Sequence, residues 1–480
     1  MAKQANSRRD FFSRISDGLN GAALAYLLGK DFLSPERLYA VEGQPQIFDL
    51  KPKAPHLPAK AKSVIQLFMN GGPSQMDLLD PKPALEKYAG QPPSRDLASQ
   101  IRQVREAGGI MPSPFKFAHY GKSGTEVSEL LPHIAQRVDD IAVIRSMYTT
   151  HIAHDFALFI MHTGRMLPGR PTLGAWVVYG LGSENQNLPA YVVLDDPKGL
   201  PVNDIQNWQA GYIPGVYQGT RVRSEGLPLL NLEPEEEYPA AVKDLGRSLL
   251  HSIDQAHRAQ RPYQPNLDAR ISTYELAARM QMEATDALDL AKETDATKEA
   301  YGLNDETTAS YGRRCLMARR LVERGVRMVQ LFTEGNVWDH HNDLRKGLSY
   351  CCQKTDKPVG ALLTDLKQRG LLDSTLVVWG GEFGRLPIAQ SPGPTAGRDH
   401  GPAGFSSWMA GGGIKGGTVY GATDEIGYKA VENPVSVHDF HATILHLLGM
   451  DYRRLVFQRE GRGERITDEY PVNILTKIIA

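Results

Sequence analysis

Five short apolar runs recur along this chain, and each stops at glycine or at polar residues capable of chemistry. They are Ser63 to Met69, Ile141 to Ile144, Tyr191 to Leu194, Val326 to Phe332 and Thr375 to Trp379. Runs this short, bounded by Gly and polar residues, suit buried strands better than helices. Stretches of helical period separate them. Strands alternating with helices predict an α/β fold: an α/β/α sandwich with a largely parallel central sheet covered on both faces.

At 480 residues the chain is long for one compact domain, and insertions would account for the excess. Residues 235–325 supply a candidate. AVKDLGRSLLHSIDQAHRA and LDARISTYELAARMQMEATDAL place apolar residues at i, i+3, i+4 with charged faces between, so a helical insertion outside the sheet is expected. Residues 196–230, rich in Gly, Pro, Trp and Tyr without a period, read as an inserted surface loop.

Composition narrows the function classes. Hydrophobic residues are 41% and charged residues 23%, the balance of a folded globular protein. Lys and Arg number 54 against 55 Asp and Glu, which leaves no field for a nucleic-acid partner. No apolar run is long enough for an ordinary membrane span. Cys315, Cys351 and Cys352 are too few to staple a chain of this size and read as structural thiols.

The N-terminus carries Ser7-Arg8-Arg9-Asp10-Phe11-Phe12, then a modestly apolar stretch from Leu19 to Leu28. This resembles a twin-arginine export signal over residues 1–40 and implies a periplasmic or secreted location. Residues 41–62 hold Pro45, Pro52, Pro55 and Pro58 with four lysines and read as an extended linker. The α/β domain is expected over residues 63–480.

In doubly wound sheets ligands bind outside the carboxyl ends of the strands. Asn70, Gly71, Gly72, Pro73 and Ser74 follow the first run; Asp339, His340 and His341 follow the fourth; Glu382 and Arg385 follow the fifth. Asp399 and His400 precede the run that starts at Phe405, and a helix near residues 150–165 carries His151, His154, Asp155 and His162. Carboxylates with imidazoles suit a divalent ion, zinc first. Asp339, His341 and His400 are expected to converge on one ion, although any single pair also fits a hydrogen-bonded loop or a helix cap. Glu382 is either a further ligand or the partner of Arg385. Ser74 lies in a Gly-Pro turn before a helix, where backbone amides favour anions, or it is simply an N-cap. His438 and His441, followed by Ile444, Leu445, Leu447 and Leu448, read as the start of a core helix outside the site.

The order of motifs adds a resemblance. NGGPSQMDLLDPKP, HDFALFIMHTG, PTLGAWVVYGLG, WDHHND, GGEFGR, GRDHG, GGGIKGGTVYGATDE and HDFHATILHLLGMD span most of residues 63–450. In this order they resemble the secreted bacterial family called domain of unknown function 1501, regarded as similar to the alkaline phosphatase and sulfatase superfamily. The resemblance implies one or two metals at the carboxyl ends of the sheet and cleavage of phosphate or sulfate esters. His400 matches the superfamily's final metal histidine, and Asp339 with His340 or His341 matches its mid-chain pair. Asn70 stands where a metal-binding Asp is usual, and Glu382-Phe383 replaces an Asp-His pair. His154 falls nine residues before Thr163-Gly164, the place of the sulfatase nucleophile, and the formylglycine signature is absent.

Together these readings give a metal-dependent exported hydrolase of sulfate or phosphate esters on small molecules or glycans. His154 and Ser74 are its catalytic candidates and Asn70 and Arg385 its substrate-binding ones. Asp339, His341, Glu382 and His400 are its metal ligands. A non-catalytic relative binding an anionic carbohydrate or a protein partner is the alternative.

Overall fold

The apolar runs form the centre of a nine-stranded sheet in the computed structural model, which describes residues 48–99, 108–226, 239–261 and 264–480. The export signal read at residues 1–40 lies outside the described residues. The strands are β1 (Ser63–Phe68), β2 (Ile141–Tyr148), β3 (Tyr191–Leu194), β4 (Thr220–Arg221), β5 (Met328–Phe332), β6 (Thr375–Gly380), β7 (Phe405–Ala410), β8 (Thr418–Tyr420) and β9 (Val435–Ser436). Their spatial order is β8-β2-β7-β6-β1-β5-β3-β4, with β9 beside β2. Every pairing is parallel except the two made by β7. β1, β3, β5 and β6 are buried at every residue, as strands covered on both faces are, and the buried Gln66 and Gln330 pair with each other at 3.1 Å.

The longer helices are α1 (His154–Thr163), α2 (Leu173–Leu181), α3 (Ala240–Ala259), α4 (Pro265–Leu288), α5 (Ala309–Glu323), α6 (Leu344–Gln368) and α7 (Val437–Leu447). The chain runs from β2 across the sheet to β3, then back through β5 to β6. Right-handed crossovers therefore put α1 and α2 on one face and α5 and α6 on the other. Ring contacts agree: His162 of α1 lies 4.5 Å from Phe68 of β1. The result is the mostly parallel α/β/α sandwich that the sequence predicts.

Three expectations need correction. Of the stretch read as a helical insertion, residues 239–261 and 264–325 are described and largely helical, but α5 is a layer helix packed on β1 and β5 rather than an appendage. Its Tyr311, Cys315, Leu316 and Leu321 are buried in the main core, and helical period alone does not say which neighbour a face meets. Residues 196–230 are not a pure surface loop either. Trp208 and Tyr217 are buried, Trp208 lies 5.6 Å from Phe332, and the segment supplies the edge strand β4. Residues 48–62, read as a linker, have no helix or strand, yet they are strapped to the domain. Lys53 donates to the Leu181 carbonyl and Leu57 to that of Gly449, at 2.9 and 2.8 Å. Cys315, Cys351 and Cys352 are buried free thiols, and burial pushes each of them up, Cys351 to about 12.

α7 begins at a capping box formed by Ser436 and Asp439. His441 on it is buried, and its Nε2 donates to the Met161 carbonyl. Burial, with some repulsion from the other charged forms nearby, lowers His162 and His441 to about 3. An unfolded histidine titrates near 6.5, so between these values the unfolded chain binds protons that the folded chain refuses. Stability is therefore full above about pH 6.5 and falls as pH drops, by about 1.4 kcal/mol per unit for each histidine. The urea midpoint should fall from pH 7 to pH 5, and His441→Gln, which keeps a donor for Met161, should remove part of that slope. A midpoint that is flat over this range contradicts the assignment.

Candidate metal centre

Because β7 runs against its neighbours, the chain enters it from the edge at which β1, β2, β5 and β6 end. Asn70, Asp339, Glu382 and His400 are thereby delivered to one edge, and His154 opens α1 just after β2. Arg385 to Gly384 pair antiparallel with His400 to Gly401, which fixes the His400 loop against the end of β6.

Gly71 and Gly72 turn the chain sharply after β1, at φ +114 and +79. A Cβ on Gly71 would sit 2.6 Å from the Asp339 amide nitrogen and 2.7 Å from the Asn336 carbonyl. Only glycine lets the loop after β5 come this close. Trp338, buried beneath that loop, donates its backbone N–H to the Asn70 carbonyl at 3.1 Å. The next residue, Asp339, then projects over the end of the sheet.

Three histidines face Asp339. His341 Nε2 is 3.0 Å and His400 Nε2 is 3.1 Å from its Oδ1, and His154 Nε2 is 3.1 Å from its Oδ2. His341 and His400 bring their Nε2 atoms within 3.0 Å of each other. Each ring is oriented from behind by an oxygen: Nδ1 of His154 by Glu382 Oε1 at 2.6 Å, of His400 by the Ile152 carbonyl at 2.6 Å, and of His341 by Gln390 Oε1. His340 points away, its ring against Gly347 and Cys351. The choice between the two neighbouring histidines thus falls to His341.

The electrostatics suit a cation. An acceptor oxygen at Nδ1 requires the proton there, so the Nε2 lone pairs of His341 and His400 face each other and Asp339 Oδ1. Burial lowers His400, opposed by its contact with Asp339 and assisted by Arg385 and His154. Burial would raise the Asp339 carboxyl, but His154, His341, His400 and Arg385 outweigh it and hold the group far below the usual carboxylate range. His154 goes the other way: burial lowers it, and the two carboxylates that flank it lift it to about 9. A tetrahedral site with bonds near 2.0–2.1 Å has edges of about 3.3 Å. The 3.0–3.1 Å triangle of Asp339, His341 and His400 is close to that size. His154, Asp339 and His400 form a second grouping within 4.8 Å, as do His341, Asp399 and His400. Two buried oxygens on residues at the same strand ends, Glu382 Oε2 and Asn70 Oδ1, have no hydrogen-bond donor among the described residues. Lone pairs converging without donors are what a bound cation would satisfy, so the residues fit a divalent ion.

Glu382 is fully buried, and its Oε1 accepts from the Gly71 amide at 2.9 Å and from His154. It therefore orients His154, and it is not the partner of Arg385. Arg385 instead donates to the carbonyls of Gly71, Gly72, Trp338 and Arg398 and to Asp339 Oδ1. With its guanidinium consumed in this way, it holds the cradle and not a substrate. Ser74 also departs from the expectation. The helix after it is only four residues, Gln75–Leu78, and its buried hydroxyl donates to Asp77 Oδ2. Asp77 in turn takes Arg398 at 2.7 Å, so Ser74 braces the His400 loop and is not free to attack. Asn70 donates to the carbonyls of Thr333 and Gly335. Gln390, Phe383 and the Ile152 carbonyl were not legible as site residues. Phe383 is buried with its ring 4.6 Å from His400 and 4.8 Å from His154; its only signal was adjacency to Glu382.

A family model described as a protein of unknown function, DUF1501, matches residues 61–479. The chain belongs to this family. No curated protein matches the DUF1501 chain by sequence. Among solved structures it is similar to the lipoteichoic acid synthase LtaP from Listeria monocytogenes, at 9% identity over 84% of this chain and 76% of that one, TM-score 0.36. A second is the PsFucS1 sulfatase from Pseudoalteromonas sp., at 14% identity over 81% and 68%, TM-score 0.32. A third is the alkaline phosphatase from the Antarctic bacterium TAB5, at 11% identity over 75% and 95%, TM-score 0.28. No helix among the described residues of the DUF1501 chain is long and apolar enough to cross a membrane.

Proposed function

We propose that this chain is a metal-dependent hydrolase of a sulfate or phosphate ester, carried on a small molecule or a glycan. The observation behind it is the 3.0–3.1 Å triangle of lone-pair atoms from Asp339, His341 and His400. The ester class follows from the sequence resemblance set out above. Asp339, His341 and His400 would hold the ion, and zinc is the ion this nitrogen and oxygen donor set favours. When bound, such an ion supplies Lewis-acid polarisation of the ester oxygen. Glu382 fixes His154 through Nδ1, which leaves Nε2 facing the same space and able to hold or pass a proton. Asp339 and His154 keep 21% and 12% of their side-chain surface, so substrate can approach from solvent. The binding-only reading draws support from Ser74, whose hydroxyl is engaged, so that no serine stands ready to attack.

The test is hydrolysis of aryl sulfates and aryl phosphates by protein purified without chelator. His154→Gln should lower the rate by about 10²–10⁴-fold, the usual worth of a positioned acid or base, while the bound ion is retained. Hydrolysis that chelation does not touch, or full activity in the His154 variant, contradicts the proposal. Export by the twin-arginine route is also proposed from Arg8 and Arg9. Changing both to Lys should leave the protein in the cytoplasmic fraction, and unchanged delivery to the periplasm overturns that route.

A further inference from the structure

α3 (Ala240–Ala259) is mounted the wrong way round for a surface helix of a monomer. An amphipathic helix normally turns its apolar stripe to the core and its charges to water. Here the polar side meets the body: His251 Nδ1 is 3.1 Å from Glu275 Oε1 of α4, and Asp254 and Arg258 are half-buried. The apolar stripe faces solvent. Val242, Leu245, Leu249, Leu250 and Ile253 are between 51% and 71% exposed. Val242, Leu245, Leu249 and Ile253 follow i, i+3, i+7, i+11 spacing, one line along the helix. Gly246 lies beside that line, and a Cβ there would meet nothing within 4 Å. Glycine is a poor helix former, and among the described residues nothing uses the space it leaves.

We infer that α3 is the contact surface for a second copy of this chain, packed antiparallel about a two-fold axis near Leu249. The stripe is self-complementary about that point. Leu249 meets its own mate, Leu245 faces Ile253, Val242 faces Ala256, and Gly246 faces Ser252. Large residues meet apolar ones, and small residues meet where two backbones must approach, as an isologous contact requires. Charge selects the direction. Each helix leaves through His257, Arg258 and Arg261. Antiparallel packing keeps the two basic exits apart at opposite ends of the contact and opposes the helix dipoles. A parallel pair would set like against like. A membrane surface is the weaker occupant. Interfacial helices carry Lys- and Arg-rich polar faces, whereas Asp244 and Asp254 here stand against Lys243, Arg247 and Arg258, a near-balanced set. One helix from each copy makes a contact below the size of a standard stable interface, so the association is concentration-dependent.

The experiment is sedimentation of the exported chain across a concentration series. The expected result is a monomer–dimer equilibrium. Leu249→Glu and Leu249→Lys should each be monomeric, because like charges meet on the axis, and their equal mixture should restore the dimer. Leu249 is exposed, so the melting temperature of each variant in dilute solution should match the parent, which separates lost contact from lost fold. Ester hydrolysis is not needed as a readout, so the result stands whether or not the proposed chemistry does. A wild-type chain that stays monomeric throughout overturns the inference, as does a mixture that fails to restore the dimer. Binding to phosphatidylglycerol vesicles that Leu249→Glu abolishes, with no self-association, also overturns it and gives the face to a lipid surface.

Discussion

Replacing Asp339 with Ala is expected to cost the chain its bound ion and all measurable ester cleavage. Three imidazoles and one guanidinium face this one carboxylate. Without it, two Nε2 lone pairs at 3.0 Å have no shared anion to gather a cation against. Losing an orienting partner behind a ligand typically weakens metal binding by 10–100-fold, so losing the central ligand should weaken it by at least about 100-fold. The fold is also affected. Arg385 is buried and loses its only carboxylate contact among the described residues, although four carbonyls still take its N–H groups. Removing one partner of a buried pair costs on the order of 3–5 kcal/mol, and the retained carbonyls should hold the loss below the top of that range. Asp339→Asn keeps the shape and separates the two effects: metal should still be lost while most stability returns. Retention of one ion per chain by Asp339→Ala contradicts the assignment.

The second large effect is expected from Gly71→Ala. A methyl there would press on three backbone atoms, the Asp339 and Trp338 nitrogens and the Asn336 oxygen, at 2.6–2.8 Å. Backbone cannot rotate aside as a side chain can, and φ +114 is itself strained for alanine. Overpacking and strain together should cost about 3–5 kcal/mol, and the relief is a shift of the loop that carries Asp339. Metal binding should therefore weaken along with stability. Gly90→Ala is the matched control: its φ is +75 and nothing lies within 4 Å of the added carbon, so about 1 kcal/mol is expected. Chemical denaturation of both variants decides the matter. A Gly71→Ala loss no larger than that of Gly90→Ala shows that the two loops can separate freely.

Much of the scaffold was legible in the sequence because a fully buried strand has a plain signature. Ser63 to Phe68, Met328 to Phe332 and Thr375 to Gly380 are mostly apolar runs closed by glycine or polar residues, and they lie side by side at the centre of the sheet. The residues after them follow from topology. Strand direction was not legible: the Phe405–Ala410 run carries nothing that marks it as antiparallel, yet that reversal is what brings His400 to the site. Nor does residue type reveal whether a donor is already used. Arg385 and Ser74 read as groups available to a ligand, yet Arg385 is consumed by carbonyls far away in sequence and Ser74 by Asp77, which is itself tied to the distant Arg398. Gln390 sits in a loop with no period or motif, so its place behind His341 appears only in three dimensions. His340 and His341 differ by one position, and only packing against Gly347 separates them.

Elemental analysis of the full-length chain, purified without chelator and dialysed against metal-free buffer, tests the central claim most directly. The account predicts about one divalent ion per chain, zinc first, retained in the wild type and lost from Asp339→Ala and His400→Ala. Cobalt substitution should then give the intense visible bands of a four-coordinate nitrogen and oxygen site. A wild-type chain that binds no divalent ion, or one whose ion survives both substitutions, contradicts it.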